Sequence, residues 1–209
     1  MRLYEFAPTR SIRARWALQE LDLPFEAIEV RLTDGAGQTP EFLAINPAGK
    51  LPTLVDGDFV LTESIAIVVY LAEKYPQKGL LPADFEQRAQ LNRWMSFVVT
   101  ELEQPLWRIA RNSFLYPEEQ RQPADIEIAK GEFRQMAAVL EKHMRGRQFL
   151  VGERASVGDF LTAHTLDWAD GIGLLEQCPT LLAYMKRMYE RPKAPMRISD
   201  ALRSVGLVL

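Results

Sequence analysis

The chain has 209 residues, 47% of them apolar, and a formal charge of −3 from 25 basic and 28 acidic residues. This length allows one large domain or two small ones with a substantial core, and the near-balanced charge argues against nucleic acid or an anionic membrane as partner. No apolar run approaches the roughly 20 residues that span a bilayer, and the N-terminus MRLYEFAPTR lacks the apolar core of a secretory signal, so we expect a cytoplasmic protein.

The first 76 residues mix strand and helix signals, in an order that predicts an α/β domain. Strands are predicted over 2–6, 25–30, 53–55 and 59–62, and helices over 11–21, over 40–44 and from 64. Ser64 is well placed to N-cap the last of these helices, because a Ser hydroxyl can accept from the free N–H groups of a first turn. A helix start carries partial positive charge and suits a carboxylate, so this one is a candidate anion site with Glu63 beside it.

Strand signals stop after a Pro- and Gly-containing linker over 77–84. Apolar residues at every third or fourth position predict one long helix over about 84–111, bent at Pro105 because proline disturbs a helix interior. Further helices are indicated around 133–144, 156–168, 181–188 and 198–205, and Ser156 with Asp159 forms a capping-box pattern. We therefore expect an α/β domain over 1–76, a linker over 77–84 and an all-helical domain over 85–209.

Two dipeptides stand at either end of the predicted hairpin. Leu51-Pro52 opens its first strand, and Glu63-Ser64 ends its second strand and starts a helix. In this order and at these separations, the motifs resemble the glutathione-binding half of the cytosolic glutathione transferases of bacterial type, and the resemblance extends over the whole chain. It implies a thioredoxin-like N-terminal domain, an all-helical C-terminal domain and a cis bond before Pro52.

The resemblance also assigns glutathione contacts. In the family, the residue before the cis proline pairs with the cysteinyl part of glutathione, and a Glu/Gln-Ser pair holds the γ-glutamyl end. Leu51, Pro52, Glu63 and Ser64 match these positions. Lys50 stands where several classes carry a basic residue for the glycyl carboxylate, although it also reads as an ordinary solvated loop charge, and Arg10 is expected at the mouth of the cleft.

Glutathione chemistry needs a thiolate, and a thiol of pKa about 8.5 is only about 3% ionised at pH 7. The turn after the first strand is where the family places its catalytic residue, and here it carries Thr9 and Ser11. A hydroxyl aimed at the sulfur would stabilise the anion, whereas the alternative is that one of the two merely caps the first helix. Arg10 occupies the position of the beta-class cysteine, which argues against a mixed-disulfide mechanism of the beta or omega kind.

The same turn leaves other classes open. The pattern Thr9-x-Ser11-x-Arg13-x-Arg15 resembles the zeta-class isomerases except that Arg10 replaces their cysteine, and it also resembles the bacterial nu-class turn with Ser11 in place of an asparagine. Arg13 and Arg15 are expected to form surface or interdomain pairs. The single cysteine, Cys178, and two isolated histidines offer no disulfide or metal-ligand cluster, so we expect no metal.

The second substrate is expected against the long helix, where aromatic and cationic residues mix in a way that suits an apolar electrophile with an anionic group. The candidates are Trp107, Arg108, Arg111 and Phe114. Aromatic residues at helical spacing are also common in cores, and that alternative stays open for Trp107 and Phe114.

The sequence thus predicts a homodimeric glutathione transferase that conjugates glutathione, its co-substrate, to a small hydrophobic electrophile in detoxification. A glutathione-dependent isomerase or disulfide reductase on the same fold is an alternative, and so is a non-catalytic binding protein. The hydroxyls retained at Thr9 and Ser11 favour an enzyme.

Overall fold

The computed structural model describes residues 1–206, so the last residues of the predicted helical domain, 207–209, lie outside it. The chain divides into two compact units. The first contains Met1–Leu81 together with the described residues from Tyr189 onward, and the second contains Pro82–Met188. The C-terminal segment therefore belongs with the α/β unit, whereas the sequence analysis placed it in the helical domain.

The first unit has the predicted order of strands and helices, with boundaries shifted by a residue or two. Its elements are β1 (Arg2–Glu5), α1 (Ser11–Glu20), β2 (Glu26–Glu29), α2 (Pro40–Ile45), β3 (Thr53–Asp56), β4 (Phe59–Thr62) and α3 (Ser64–Lys74). Short 3-10 turns lie at Leu32–Asp34, Ala36–Gln38 and Pro76–Lys78. Thr39 caps α2 by accepting from the Phe42 N–H, and Pro40 follows at a position where a missing N–H costs nothing.

The four strands form one sheet in the order β2-β1-β3-β4, with β1 and β2 parallel and the other neighbours antiparallel. Tyr4 lies opposite Thr53, and Thr53 lies opposite Thr62. The end of β1, the start of β3 and the end of β4 therefore meet at the same end of the sheet. This register gathers the loops that follow or precede those strands.

Alternate residues of the strands fill two layers of core, because successive side chains point to opposite faces. Leu3 and Leu54 are fully buried on one face. On the other face Tyr4 packs against Phe42 of α2, with a ring-centroid distance of 5.8 Å. A cluster on this second face, which we call the Leu51 cluster, contains Tyr4, Phe6, Val30, Phe42, Leu51 and Val55.

Helices make up the second unit, as predicted. They are α4 (Phe85–Phe97), α5 (Gln104–Ala110), α6 (Pro123–Met144), α7 (Val157–Gly171) and α8 (Pro179–Tyr189), and α9 (Ile198–Ser204) follows in the first unit. The predicted long helix runs through α4 and α5, joined by a π-helical turn over Val98–Glu103. Pro105 has no N–H to donate and crowds the preceding turn, which accounts for the wider turn at this point. Within residues 1–206, no helix is both long and apolar enough to cross a membrane.

The capping box at the start of α7 is confirmed, and it is part of a larger buried network. Asp159 is completely buried and accepts four hydrogen bonds, from the Leu150 N–H (2.7 Å), the Ser156 N–H (2.8 Å), the Ser156 hydroxyl (2.7 Å) and the Tyr184 hydroxyl (2.7 Å). Burial raises the pKa of Asp159, and the four donors act in the opposite direction. The carboxylate thereby joins α7, α8 and the loop before α7.

A second buried carboxylate connects α6 to α8. Glu141 accepts from the backbone N–H groups of Thr180 at 3.1 Å and Leu181 at 2.9 Å, in the first turn of α8. The first N–H groups of a helix have no partner within it, so Glu141 supplies the cap from another helix. Its partners lie about forty positions along the chain, and no local pattern in the sequence indicates them.

Replacing Tyr184 with phenylalanine tests the Asp159 network. Tyr184→Phe removes one of the four donors and leaves part of a buried carboxylate without a partner, so we expect the free energy of unfolding to fall by about 1–3 kcal/mol. Urea denaturation measures this difference. Tyr116→Phe, at a tyrosine only partly buried, is the matched control, with an expected change within about 0.5 kcal/mol. Equal stability of the two variants would show that Asp159 does not need the Tyr184 hydroxyl.

Candidate functional site

The turn between β1 and α1 holds its two hydroxyls in one hydrogen-bond network. The Thr9 hydroxyl lies 2.7 Å from the Phe6 carbonyl and 2.7 Å from the Ser11 hydroxyl, and it also accepts from the Ser11 N–H at 3.2 Å. The Ser11 hydroxyl in turn accepts from the Phe6 N–H at 3.4 Å. Arg10 stands at the N-cap position of α1 and makes no side-chain cap hydrogen bond, whereas the Thr9 hydroxyl accepts from the first N–H of that helix.

The two hydroxyls differ in exposure. Ser11 is only 1% exposed, whereas Thr9 and Arg10 are partly exposed. A hydroxyl has one proton to donate and two lone pairs, so the Thr9 oxygen is close to saturated within the turn. Of the two predicted catalytic residues, only Thr9 offers a hydroxyl near the surface.

The loop before β3 is held together by Asn46, which is 4% exposed. Its side-chain amide donates to the Lys50 carbonyl at 2.7 Å and to the Thr53 hydroxyl at 3.1 Å, and its side-chain oxygen accepts from the Ala48 N–H at 3.1 Å. One side chain thus bonds to the beginning, the middle and the end of the loop. The sequence analysis did not single out Asn46, although it opens the NPAGKLP stretch.

Two glycines let the backbone approach closely at the same loop. A Cβ atom on Gly37 would lie 2.7 Å from the Gly49 carbonyl oxygen, and one on Gly49 would lie 2.6 Å from the Gly37 carbonyl oxygen. Gly49 also has a φ of +61°, which other residues rarely adopt. Larger residues at either position would push the two backbones apart and displace the segment that leads to Lys50.

The predicted cis bond before Pro52 is confirmed. Lys50 is exposed, while the side chain of Leu51 is 9% exposed and belongs to the Leu51 cluster. The side chain of Leu51 is therefore anchored in the core, next to an exposed lysine.

Glu63 and Ser64 follow β4 directly. Glu63 is exposed and has a φ of +69°, a left-handed conformation that is uncommon for a residue with a side chain. Such strained residues concentrate at functional sites. The expectation that Ser64 N-caps α3 was wrong, because α3 begins at Ser64 itself and Glu63 takes the N-cap position without a side-chain cap.

The Ser64 hydroxyl instead accepts from the Arg13 guanidinium at 3.3 Å. Arg13 is 1% exposed and joins α1 to the start of α3 within the first unit, so it does not lie on the surface. Arg15, whose side chain is 32% exposed, pairs with Glu5 of β1, with a distance of 2.9 Å between Arg15 Nε and Glu5 Oε2. Burial lowers the pKa of Arg15.

These three segments lie together because of the sheet register. Thr9–Ser11 follows β1, Lys50–Pro52 precedes β3, and Glu63–Ser64 follows β4, all at the same end of the sheet. Two of them also lie at the N-termini of α1 and α3, where the partial positive charge of a helix start favours a negatively charged ligand. The predicted glutathione-contacting residues therefore share one edge of the first unit.

The predicted electrophile residues lie in the second unit and have varied surroundings. The rings of Trp107 and Trp168 are in edge contact at 6.2 Å, the Arg111 guanidinium lies 5.8 Å from the Tyr116 ring, and Phe114 is 56% exposed. Arg108 pairs with Asp125 and Glu132, and these carboxylates raise its pKa. Its charge is thus already compensated within the unit.

A cavity of about 340 Å³ in the second unit is lined by residues of α6, by Arg145 directly after it and by the segment between α7 and α8, including Arg134 of α6 and Cys178. Burial, together with the nearby Glu141 carboxylate, raises the pKa of the Cys178 thiol. A raised pKa lowers the thiolate fraction and argues against Cys178 as a nucleophile. No cluster of metal-ligating side chains occurs within the described part of the chain, residues 1–206.

Comparison with known proteins identifies the family. The N-terminal domain of glutathione S-transferases matches residues 1–73, and their C-terminal domain matches residues 85–192. The chain belongs to the glutathione S-transferase family. A transferase of this name from Dianthus caryophyllus is 35% identical, over 97% of this chain and 94% of its own. One from Xanthomonas campestris is 31% identical, over 99% and 100%.

A solved structure agrees with the family assignment. A glutathione transferase homologue from Sulfitobacter with bound glutathione has a TM-score of 0.80 and 25% identity, and the match covers 99% of this chain and 98% of that one. The two-domain architecture inferred from the resemblance, a thioredoxin-like unit and a helical unit, is confirmed. In this glutathione S-transferase the structure adds two residues to those predicted, Asn46 and Arg13, which hold the predicted residues in place.

Replacing Asn46 tests its role in the loop. Asn46→Ala leaves the Ala48 N–H without its side-chain partner and the Lys50 carbonyl with only the long hydrogen bond from the Thr53 hydroxyl at 3.5 Å, so we expect a loss of about 2–4 kcal/mol in the free energy of unfolding. Asn92→Ala on the exposed surface of α4 serves as the control, with an expected change within about 0.5 kcal/mol. Chemical denaturation compares the two, and equal stability would mean that Asn46 does not hold the loop.

Proposed function

We propose that this protein is a glutathione transferase that binds glutathione in its first unit, activates the thiol and conjugates it to a small apolar electrophile. The observation that carries the proposal is the gathering of Thr9, Leu51-Pro52 and Glu63-Ser64 at one end of the sheet, on the family's own scaffold. A role in detoxification fits such a conjugation.

The γ-glutamyl end of glutathione carries both an ammonium and a carboxylate. We assign the carboxylate to the Ser64 hydroxyl and the first N–H groups of α3, where the helix N-terminus favours an anion. The buried Arg13 guanidinium donates to the Ser64 hydroxyl and adds positive charge behind it. We assign the ammonium to the exposed carboxylate of Glu63, whose left-handed backbone sets it just ahead of the helix.

The backbone of Leu51 is assigned to the cysteinyl part of glutathione, in a segment fixed by Asn46 and by the Leu51 cluster. Lys50 is exposed and is assigned to the glycyl carboxylate of glutathione. Arg10 is partly exposed and is assigned to a further glutathione contact. Neither the Lys50 nor the Arg10 side chain has to move out of the core to reach a ligand.

Thr9 is the residue we assign to the sulfur. In the free turn its proton goes to the Phe6 carbonyl, which also accepts from the Thr9 N–H at 3.0 Å. If the hydroxyl rotates toward a thiolate, that carbonyl keeps one of its two hydrogen bonds. Ser11 then donates to the Thr9 oxygen, and hydrogen bonds in such a chain strengthen one another. Ser11 therefore orients Thr9 from a buried position.

A hydroxyl donor and a helix N-terminus together favour the thiolate over the thiol. Lowering the thiol pKa by two units corresponds to about 2.7 kcal/mol and makes most of the thiol ionised at pH 7. The thiolate then attacks the electrophilic carbon and displaces a leaving group or adds to a double bond. A reduced thiol is required throughout, which favours the cytoplasm as the working compartment.

The electrophile is assigned to the end of α5 and the turn that follows it, where Trp107, Arg111 and Phe114 supply apolar surface and a positive charge. Arg108 contributes by fixing this segment to α6, because its guanidinium pairs with Asp125 and Glu132. This set favours an aromatic or alkyl electrophile with an anionic group.

A homodimer is the assembly that we propose. Phe59 and Val60 on the edge strand β4 are 49% and 41% exposed, and a strand edge with exposed apolar side chains favours association. Sedimentation at micromolar concentration should give about twice the 23.9 kDa of one chain. Phe59→Glu should shift the mass toward the monomer, whereas Val139→Glu on α6 should not. A monomeric wild-type protein would contradict the proposal.

Glutathione binding is tested at the γ-glutamyl end. Glu63→Ala removes the partner of the ammonium, so we expect glutathione affinity to fall by about 30-fold, at the lower end of the range for buried charge pairs because Glu63 is exposed in the free protein. Glu86→Ala on α4 is the control for loss of an exposed carboxylate. Calorimetry gives the affinities, and melting temperatures check folding. Unchanged affinity in a folded Glu63→Ala protein would remove the main support for the site.

Thr9→Ala should act differently from Glu63→Ala. It removes the donor to the sulfur, so the pKa of the bound thiol should rise and turnover should fall while glutathione affinity changes little. Thr9→Ser, which keeps the hydroxyl, should retain activity. Ultraviolet absorbance of the bound thiolate as a function of pH measures the pKa. An unshifted pKa in Thr9→Ala would assign activation to another group.

A further inference from the structure

The C-terminal segment over 189–206, which we call the strap, returns to the first unit and is held there by two anchors. At the first anchor, the Arg191 guanidinium donates twice to the Glu20 carboxylate, with both distances 2.7 Å. The ring of Tyr189 packs on Trp16 with a centroid distance of 4.9 Å. Lys193 pairs with Asp22, just beyond the end of α1.

Neighbouring side chains fix the carboxylates of this first anchor in place. Trp16 is fully buried and its indole N–H donates to Glu20 at 3.2 Å, so the carboxylate has a fixed orientation before Arg191 reaches it. A planar guanidinium facing a carboxylate with two hydrogen bonds is the strong form of an ion pair. Hydrogen bonds from Lys193 and Lys78 lower the pKa of Asp22 to about 2, so this carboxylate is ionised at all moderate pH values.

The second anchor lies at the end of α9. Ile198 and Ala201 are buried, and Val205, directly after the helix, packs against the Leu51 cluster. The cluster otherwise consists of residues from the first 55 positions. A residue from the far end of the sequence therefore adds to the packing around the Leu51 cluster, together with the partly buried Ile28, Ala36 and Ile45.

We propose that Val205 is a positioning residue for glutathione binding, because it packs against the cluster that holds the Leu51 side chain. This inference rests on the proposed function, in which the Leu51 backbone pairs with the cysteinyl part of glutathione. The Leu51 segment is fixed by the Asn46 hydrogen bonds to its backbone and by the side chain of Leu51 in the cluster. The strap contributes Val205 to the packing around that cluster.

The physical reason is preorganisation. A backbone strand that must pair with a ligand binds weakly if it has to be ordered on binding, because the ordering costs conformational entropy. A loosened cluster would let Leu51 and the adjacent backbone sample other positions in the free protein. The strap therefore contributes to affinity without contributing a contact.

The experiment compares four variants of the full chain. Val205→Asp places a charge in the cluster, Val205→Ala removes two methyl groups, and Val205→Leu keeps an apolar side chain. Leu18→Ala makes a cavity at a fully buried α1 residue outside the Leu51 cluster and controls for general loss of stability. Glutathione affinity comes from calorimetry well below the melting temperature, and hydrogen exchange reports the protection of residues 46–55.

We expect glutathione affinity to fall by about tenfold in Val205→Asp and by a smaller factor in Val205→Ala, which corresponds to up to about 1.4 kcal/mol. Exchange over residues 46–55 should become faster in both variants. Val205→Leu should keep the glutathione affinity and the exchange rate over residues 46–55 close to those of the wild type. Leu18→Ala should lower the melting temperature without a comparable loss of affinity. If Val205→Asp does not fold, the comparison of Val205→Ala with Leu18→Ala decides.

The inference is overturned if the Val205 variants bind glutathione as the wild type does, or if they lose affinity only in proportion to melting temperature, as Leu18→Ala would. Failure of the proposed function looks different, because the wild-type protein itself would then not bind glutathione. In that case the hydrogen-exchange comparison still tests whether Val205 holds the segment around Leu51.

Discussion

The hydrogen bonds of the Asn46 side chain are the constraint on which the candidate site depends. They fix a loop whose backbone would otherwise have unpaired polar groups, and they place Leu51-Pro52 at the start of β3. β3 pairs with both β1 and β4. The start of β3 therefore has a fixed position relative to the segment after β1, which contains Thr9, and the segment after β4, which contains Glu63. The sheet register then brings Thr9 and Glu63 to the same edge.

Buried polar side chains also hold structural elements together elsewhere in the chain. Arg13 joins α1 to α3 through Ser64, Asp159 joins α7 to α8 through Tyr184, and Glu141 provides the cap of α8 from α6. Burying a charged group is costly unless its partners are in place, so each of these contacts favours one arrangement of helices over others. In the first unit this arrangement also serves the candidate ligand site, because Arg13 stands behind Ser64.

The chemistry proposed for the turn after β1 follows from which atoms are accessible. This turn has no cysteine, and its two hydroxyl residues differ in exposure, because Ser11 is buried while Thr9 is partly exposed. A division of roles follows, in which one hydroxyl faces the ligand and the other orients it. The strap also contributes to this part of the first unit, because Val205 packs against the cluster that contains Leu51.

The sequence by itself determined the order of strands and helices, the capping box at Ser156 and the motif positions 51–52 and 63–64, because these depend on local periodicity and on turn chemistry. The tertiary structure alone decided that Ser64 bonds to Arg13, that Ser11 is buried, that Glu141 caps a distant helix and that the strap returns to the first unit. Each of these depends on which side chains meet after packing. Residues tens to nearly two hundred positions apart in the chain leave no local pattern that indicates such contacts.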